Sequence, residues 1–292
     1  MAVYELYFSP TGGTKKVMDI LTDTWENERK LMDLSTAEPE GYTFQQDDLC
    51  FVGIPVFEGR VPKLVVSRLK TLVSNGAQAV AVAVYGGRAV DDAPLELTDV
   101  LTETGFRCGT AIEAVAEHSI LHIYAQNRPD AQDTADLHQY AGKTQTLYEA
   151  GKLADCVSVP GNRPYIEMGG IKIHPEGNEN CVQCGICAGV CPTGAIAAPD
   201  FSRTDGSKCI TCMRCVSVCP THARDFNPAL VKATQKKWRR TLPESGITSC
   251  ISPKSNFTPN QVNRFILFGE PAPFPKTARN LPSRSFLAVF IA

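Results

Sequence analysis

The stretch Cys181-Val-Gln-Cys184-Gly-Ile-Cys187-Ala-Gly-Val-Cys191-Pro192 recurs 28 residues later as Cys209-Ile-Thr-Cys212-Met-Arg-Cys215-Val-Ser-Val-Cys219-Pro220. Both copies have the spacing Cys-x2-Cys-x2-Cys-x3-Cys-Pro. Two intervening residues let successive sulfurs of one tight loop point at a common centre. Three thiolates can therefore come from each loop, and a fourth must arrive from elsewhere. The proline after each last cysteine turns the chain away. Zinc sites use pairs of Cys-x2-Cys rather than two runs of four that end in Cys-Pro. A disulfide framework belongs to short secreted domains, not to a chain of this length.

The two runs resemble those of two-cluster bacterial ferredoxins, which hold [4Fe–4S] clusters. The resemblance implies that Cys181, Cys184, Cys187 and Cys219 hold one cluster, and that Cys209, Cys212, Cys215 and Cys191 hold the other. Crossed ligation of this kind sets two clusters side by side and marks an electron-transfer device.

The totals fit a two-domain chain with a tail. There are 292 residues, 43% hydrophobic and 21% charged, with a net charge of −2 that gives no indication of a nucleic-acid partner. No apolar run reaches the ~20 residues that a membrane-spanning helix needs. Met1 to Ser9 carries Glu5 and leads straight into a strand pattern, so no secretory leader is expected. Reduced cysteines and oxygen-sensitive clusters point to the cytoplasm of an anaerobe. Of the four cysteines outside the runs, Cys50 and Cys108 sit in apolar strand patterns as small core residues, and Cys156 and Cys250 have no assigned role.

Residues 1–151 alternate strand and helix. Strands are expected at Val3–Phe8, Lys30–Leu34, Leu49–Ile54, Ala79–Tyr85 and Phe106–Val115. Helices are expected at Gly13–Trp25, Pro62–Val73 and Leu95–Thr104, and from Pro129 to about Gly151. The pattern defines an α/β fold with a doubly wound, five-stranded parallel sheet, which binds ligands at the carboxyl ends of its strands.

The first strand runs into Ser9-Pro10-Thr11-Gly12-Gly13-Thr14, where hydroxyls, a glycine-rich turn and a helix N-terminus meet. Free N–H groups and the helix dipole there suit a phosphate without a lysine. The loop resembles the flavodoxin phosphate loop, with Ser9, Thr11, Gly12 and Thr14 on its pattern, and implies an FMN-binding, flavodoxin-like domain. Two further loops should complete the site: Pro55-Val56-Phe57-Glu58-Gly59-Arg60 and Tyr85-Gly86-Gly87-Arg88. Phe57 and Tyr85 are candidate stacking residues, and Gly59 could permit a peptide flip. Gly86 and Gly87 could admit the backbone to the pyrimidine end. Arg60 and Arg88 could hold positive charge near the flavin, opposed by Glu58, Asp91 and Asp92.

Residues 3–226 as a whole resemble the flavodoxin–ferredoxin fusion proteins of anaerobic bacteria. The resemblance rests on Ser9–Thr14, Gly59–Pro62, Tyr85–Arg88, Glu117-His118-Ser119, Arg128-Pro129-Asp130 and both cysteine runs. Members of that family typically carry Asn where Gly87 stands. His118, after the fifth strand, is a candidate proton donor and, with Arg88, a candidate catalytic residue. His122 and His138 have no supporting constellation.

Residues 152–164 read as a linker and 165–226 as a small α+β two-cluster ferredoxin domain. Residues 227–292 form a partly helical tail, with Lys232, Lys236, Lys237, Arg239 and Arg240 forming a basic face that could receive an acidic partner. The chain's expected role is electron transfer between two [4Fe–4S] clusters and FMN. Its partner is a soluble redox protein or a small-molecule acceptor, with no nucleic acid, no membrane span, and room for a homodimer. The alternatives are an FMN-dependent reductase of a small molecule and a redox- or oxygen-sensing regulator.

Overall fold

The computed structural model describes residues 2–25, 29–36, 41–169, 173–241 and 264–267. Its first half contains β1 (Val3–Tyr7), α1 (Gly13–Thr22), β2 (Arg29–Asp33), β3 (Leu49–Pro55), α2 (Lys63–Leu69), β4 (Gln78–Tyr85), α3 (Ala93–Glu103), β5 (Arg107–Val115) and α4 (Ala131–Glu149). The five strands are parallel and lie in the order β2-β1-β3-β4-β5. This is the flavodoxin-like doubly wound order, and it reverses between β1 and β3.

β3 and β4 are buried along nearly their whole length because both faces of the sheet are covered. On one face Val17, Met18 and Leu21 of α1 pack with Leu137 and Ala141 of α4. On the other, Val65 and Leu69 of α2 pack with Leu97 and Leu101 of α3. α4 starts on a reciprocal cap: Asp130 accepts from the N–H of Asp133 at 3.0 Å, and Asp133 accepts from the N–H of Asp130 at 2.8 Å.

Two elements differ from the sequence expectation. α2 stops at Leu69, short of Val73, because the N–H of Val73 donates to Tyr42 O at 2.9 Å and Thr43 and Val73 form a parallel bridge. A further strand from the tail, β8 (Arg264–Leu267), pairs antiparallel with β5. Four residues without a flanking repeat give no strand signal of their own.

The segment 152–164 lies against the first half instead of spanning open space. Leu153 and Val159 are buried, and the backbone at Cys156 forms an isolated parallel β-bridge with that of Cys108 in β5, both thiols being free. The Asp92 carboxylate, at the head of α3, accepts the N–H groups of Asn162 at 2.8 Å and Ile166 at 2.7 Å. Asp99 accepts from Arg163 and Tyr165.

The second half contains β6 (Glu176–Gly177), α5 (Ile186–Gly189), α6 (Arg214–Ser217), β7 (Arg224–Asp225) and α7 (Pro228–Thr241), with β6 and β7 antiparallel. The internal repeat is visible in the backbone. Gln183 and Thr211, both at φ 55, are related by the 28-residue offset. So are Gly185 and Met213, at 74 and 65, and Gly194 and His222, at 62 and 50. Met213 and Phe226 pack with Ile120, Leu121 and Tyr124 of the loop after β5. α7 carries the basic residues from Lys232 to Arg240. The side chains of 234 and 237–241, and segments 242–263 and 268–292, lie outside the described residues, and with them most of the basic face expected to receive a partner.

Candidate functional site

At the carboxyl end of the sheet the loops after β1, β3, β4 and β5 enclose a cleft with about 470 Å³ of empty space. The first loop supplies Ser9, Pro10, Thr11, Gly13 and Thr14, and the second Pro55, Val56 and Phe57. The third supplies Val84, Tyr85 and Gly86, and the fourth runs from Ala116 to Ser119 and includes His118. One more wall residue comes from the second half of the chain: Cys212.

The phosphate-type loop is held by short local bonds. Ser9 Oγ accepts the N–H of Lys15 at 2.8 Å, and the N–H of Ser9 donates to Ser35 Oγ at 2.9 Å. Gly12 caps α1 at φ 92, and a Cβ there would meet open space, so glycine is required by backbone conformation rather than crowding. Together the hydroxyls of Ser9, Thr11 and Thr14 and the helix N-terminus at the cleft wall fit the phosphate of an FMN.

His118 is buried. Its Nδ1 accepts the N–H groups of Ile120 and Leu121, both at 3.1 Å. That fixes the neutral tautomer with its proton on Nε2. Gly86 runs so close that a Cβ there would come within 2.8 Å of the imidazole Cδ2. Beside it, Glu117 accepts from the Asn127 N–H at 2.9 Å and pairs with His122 Nδ1 at 2.7 Å. These bonds, the Asn127 one first, hold the Glu117 carboxyl below its ordinary range. His122 thus has a partner that the sequence reading did not supply. His138 likewise meets Asp23, at 3.1 Å.

Five of the expected cofactor residues lie outside the cleft wall: Gly12, Gly59, Arg60, Gly87 and Arg88. Glu58 and Gly59, at φ 52 and 79, are the centre of a two-residue turn closed by two hydrogen bonds between Phe57 and Arg60. Arg60 forks onto Glu96 with two bonds of 2.7 Å, donates to Ile166 O at 2.6 Å, and stacks over Tyr165 at 4.6 Å. It clamps the segment after 152–164 rather than facing the cleft. Arg88 is ion-paired with Asp91. The cleft wall also takes in Val84, Ala116 and Ser119, to which sequence reasoning gave no cofactor role, and Cys212, read there only as a cluster ligand; its place on the cleft depends on how the halves meet and leaves no local signal.

The halves meet through specific contacts. Arg68 of α2 donates to Pro192 O at 3.3 Å and also bonds Leu34 O. Arg214 lies 3.8 Å from the Asp33 carboxylate, and Ser217 Oγ donates to Pro10 O at 3.4 Å.

Behind Cys212 is a second, smaller hollow whose lining includes Cys191, Cys209, Cys212 and Cys215. These are the second run's first three cysteines and the last cysteine of the first run, the crossed set that the resemblance implies. Backbone N–H groups point at several sulfurs. Ala195 donates to Cys191 Sγ and Ala223 to Cys219 Sγ, each at 3.3 Å, and Thr211 donates to Cys209 Sγ at 3.4 Å. Such bonds favour thiolate. Burial pushes the Cys212 thiol up to about 12. Among the described residues no three metal-binding side chains close on a point where one ion could sit.

Residues 180–224 match the family model described as a 4Fe-4S dicluster domain. Among curated proteins none matches the chain. The first half is similar to a flavodoxin from the domain Archaea, at 14% identity over 51% of this chain and 99% of that one, with a TM-score of 0.38. It is similar also to the Streptococcus pneumonia TIGR4 flavodoxin (17%, 50% and 99%, TM-score 0.37). A third similar structure is the rubredoxin:oxygen oxidoreductase of Desulfovibrio gigas (17%, 51% and 36%, TM-score 0.37). The chain thus joins a first half with the flavodoxin-like strand order to a segment, residues 180–224, that matches the 4Fe-4S dicluster model. No described helix is long and apolar enough to cross a membrane.

Proposed function

We propose that the protein passes single electrons between two [4Fe–4S] clusters and one FMN, in the cytoplasm, for a soluble redox protein or a small-molecule acceptor. The observation that carries this reading is the double position of Cys212, which lines both the cleft at the sheet edge and the cavity of four cysteines. When bound, the clusters supply one-electron chemistry and FMN can store two electrons. The chain's residues do the rest. Ser9, Thr11, Gly13 and Thr14 bind the phosphate, and Phe57 and Tyr85 flank the ring. Cys191, Cys209, Cys212 and Cys215 ligate one cluster, and Cys181, Cys184, Cys187 and Cys219 the other.

A second reading, an FMN-dependent reductase of a small molecule, is favoured by His118. Its fixed tautomer keeps a proton on Nε2 at a residue of the cleft wall.

The test is anaerobic stopped-flow absorbance of the reconstituted chain with a low-potential one-electron reductant. Cluster bleaching that precedes flavin reduction, and a slower flavin phase in Cys209→Ala, are expected. Flavin reduction at the same rate with and without the clusters would sink the electron-transfer reading.

A further inference from the structure

Arg224 is the largest of the fully buried side chains, 2% exposed. The 28-residue offset pairs it with Ile196, also buried, so an arginine stands in one half of the repeat where an aliphatic side chain stands in the other. Among the described residues no carboxylate pairs with it. Nη1 donates to Phe201 O at 2.6 Å and Ser202 O at 3.3 Å, and Nη2 to Pro175 O at 2.9 Å and to Thr204 Oγ1. Nε has no hydrogen-bond partner among the described residues. An ion buried this deeply against neutral dipoles is costly unless an anion lies nearby.

The two arms reach toward different cysteine sites. Phe201 O, which accepts from Nη1, also lies 3.8 Å from Cys187 Sγ, in the first run. Pro175 and Thr204, which accept from Nη2, line the cavity of Cys191, Cys209, Cys212 and Cys215.

We propose that Arg224 is the shared counter-charge of the two cysteine sites and raises the reduction potential of both clusters. This rests on the iron–sulfur reading given above. One-electron reduction of a thiolate-held cubane adds one negative charge, breaks no bond and moves no proton. A fixed cation between the sites therefore favours the reduced form of each. Ile196, at the equivalent place, supplies no such charge.

The test uses the full chain, reconstituted anaerobically as wild type, Arg224→Gln and Arg224→Lys. Iron and sulfide are measured first, and cluster absorbance is then titrated against poised potential. The neutral Gln variant should lower the reduced-to-oxidised ratio at a given potential about tenfold, or about 59 mV for one electron. Lys, which keeps the charge, should stay within threefold of wild type. A loaded Gln variant with an unchanged ratio would overturn the proposal, and so would a Lys variant that falls as far as Gln. Should Gln fail to load, Lys decides: within threefold supports the proposal, and a tenfold fall overturns it. Wild type that takes up no iron and sulfide overturns the cluster reading, and the proposal with it.

Discussion

The guanidinium of Arg68, on the second helix of the flavodoxin-like half, donates to the carbonyl of Pro192, the residue that follows the first cysteine run, at 3.3 Å. The same side chain holds Leu34 O, beyond β2. Arg68→Met removes donors from both carbonyls, and the buried Leu34 carbonyl left unmet costs about 1–3 kcal/mol. Denaturant unfolding followed by far-ultraviolet dichroism should show that loss, with a slower cluster-to-flavin phase in stopped flow. A variant as stable and as fast as wild type would mean that the contact positions nothing.

Asp92 fastens the segment between the halves. Its carboxylate accepts the N–H groups of Asn162 and Ile166 and also the Asn162 amide. Asp92→Ala should free the chain near Tyr165 and speed chymotryptic cleavage there at least tenfold, while the parallel sheet stays intact by dichroism. Equal cleavage of the two proteins would show that Asp92 does not secure the segment.

Gly12 adopts φ 92 in open space. Gly12→Ala meets no obstacle but carries the left-handed penalty of about 1–2 kcal/mol. FMN should bind about fivefold to thirtyfold more weakly in a fluorescence titration of the flavin-free protein. Gly142→Ala, in α4 with no neighbour within 4 Å of its new methyl, is the control and should leave FMN affinity unchanged.

Glu5 is fully buried in β1. Burial raises its carboxyl above 4.5 despite a bond from Thr22 at 2.5 Å and the charges of Lys15 and Arg29. The folded protein thus keeps this proton to higher pH than the unfolded chain. Stability from this group is complete below 4.5 and declines as pH rises through the raised folded value. Glu5→Gln keeps the hydrogen bond and removes the decline. Unfolding curves between pH 5 and 8 should diverge upward, with the variant the more stable at the alkaline end; parallel curves would assign Glu5 no such titration.

Much of this was legible in the chain. β3 and β4 are continuous apolar runs, and their burial on both faces follows from that. The phosphate-type loop lay where a strand gave way to glycine and threonine. The crossed cysteine set came only from resemblance, since spacing cannot say which fourth sulfur joins a loop. Arg60 pairs with Glu96, 36 residues on, a partner that no local pattern connects to it. Cys212 was read as a cluster ligand, but its second face depends on Arg68, Asp33 and Pro10, which no local pattern connects to it.

Gly185 and Met213 hold the same left-handed turn in the two halves of the repeat, one without a side chain and one with a buried one. Glycine takes that conformation freely, and methionine accepts its cost by seating its thioether among Ile120, Leu121 and Tyr124. Near the first copy, Val182 and Ile186 remain 64% and 45% exposed. A duplicated module would be indifferent to which end it used. Here one copy is packed against the loop after β5 and the other stays in the open, so under the proposed electron transfer the two cysteine sites are not interchangeable ends.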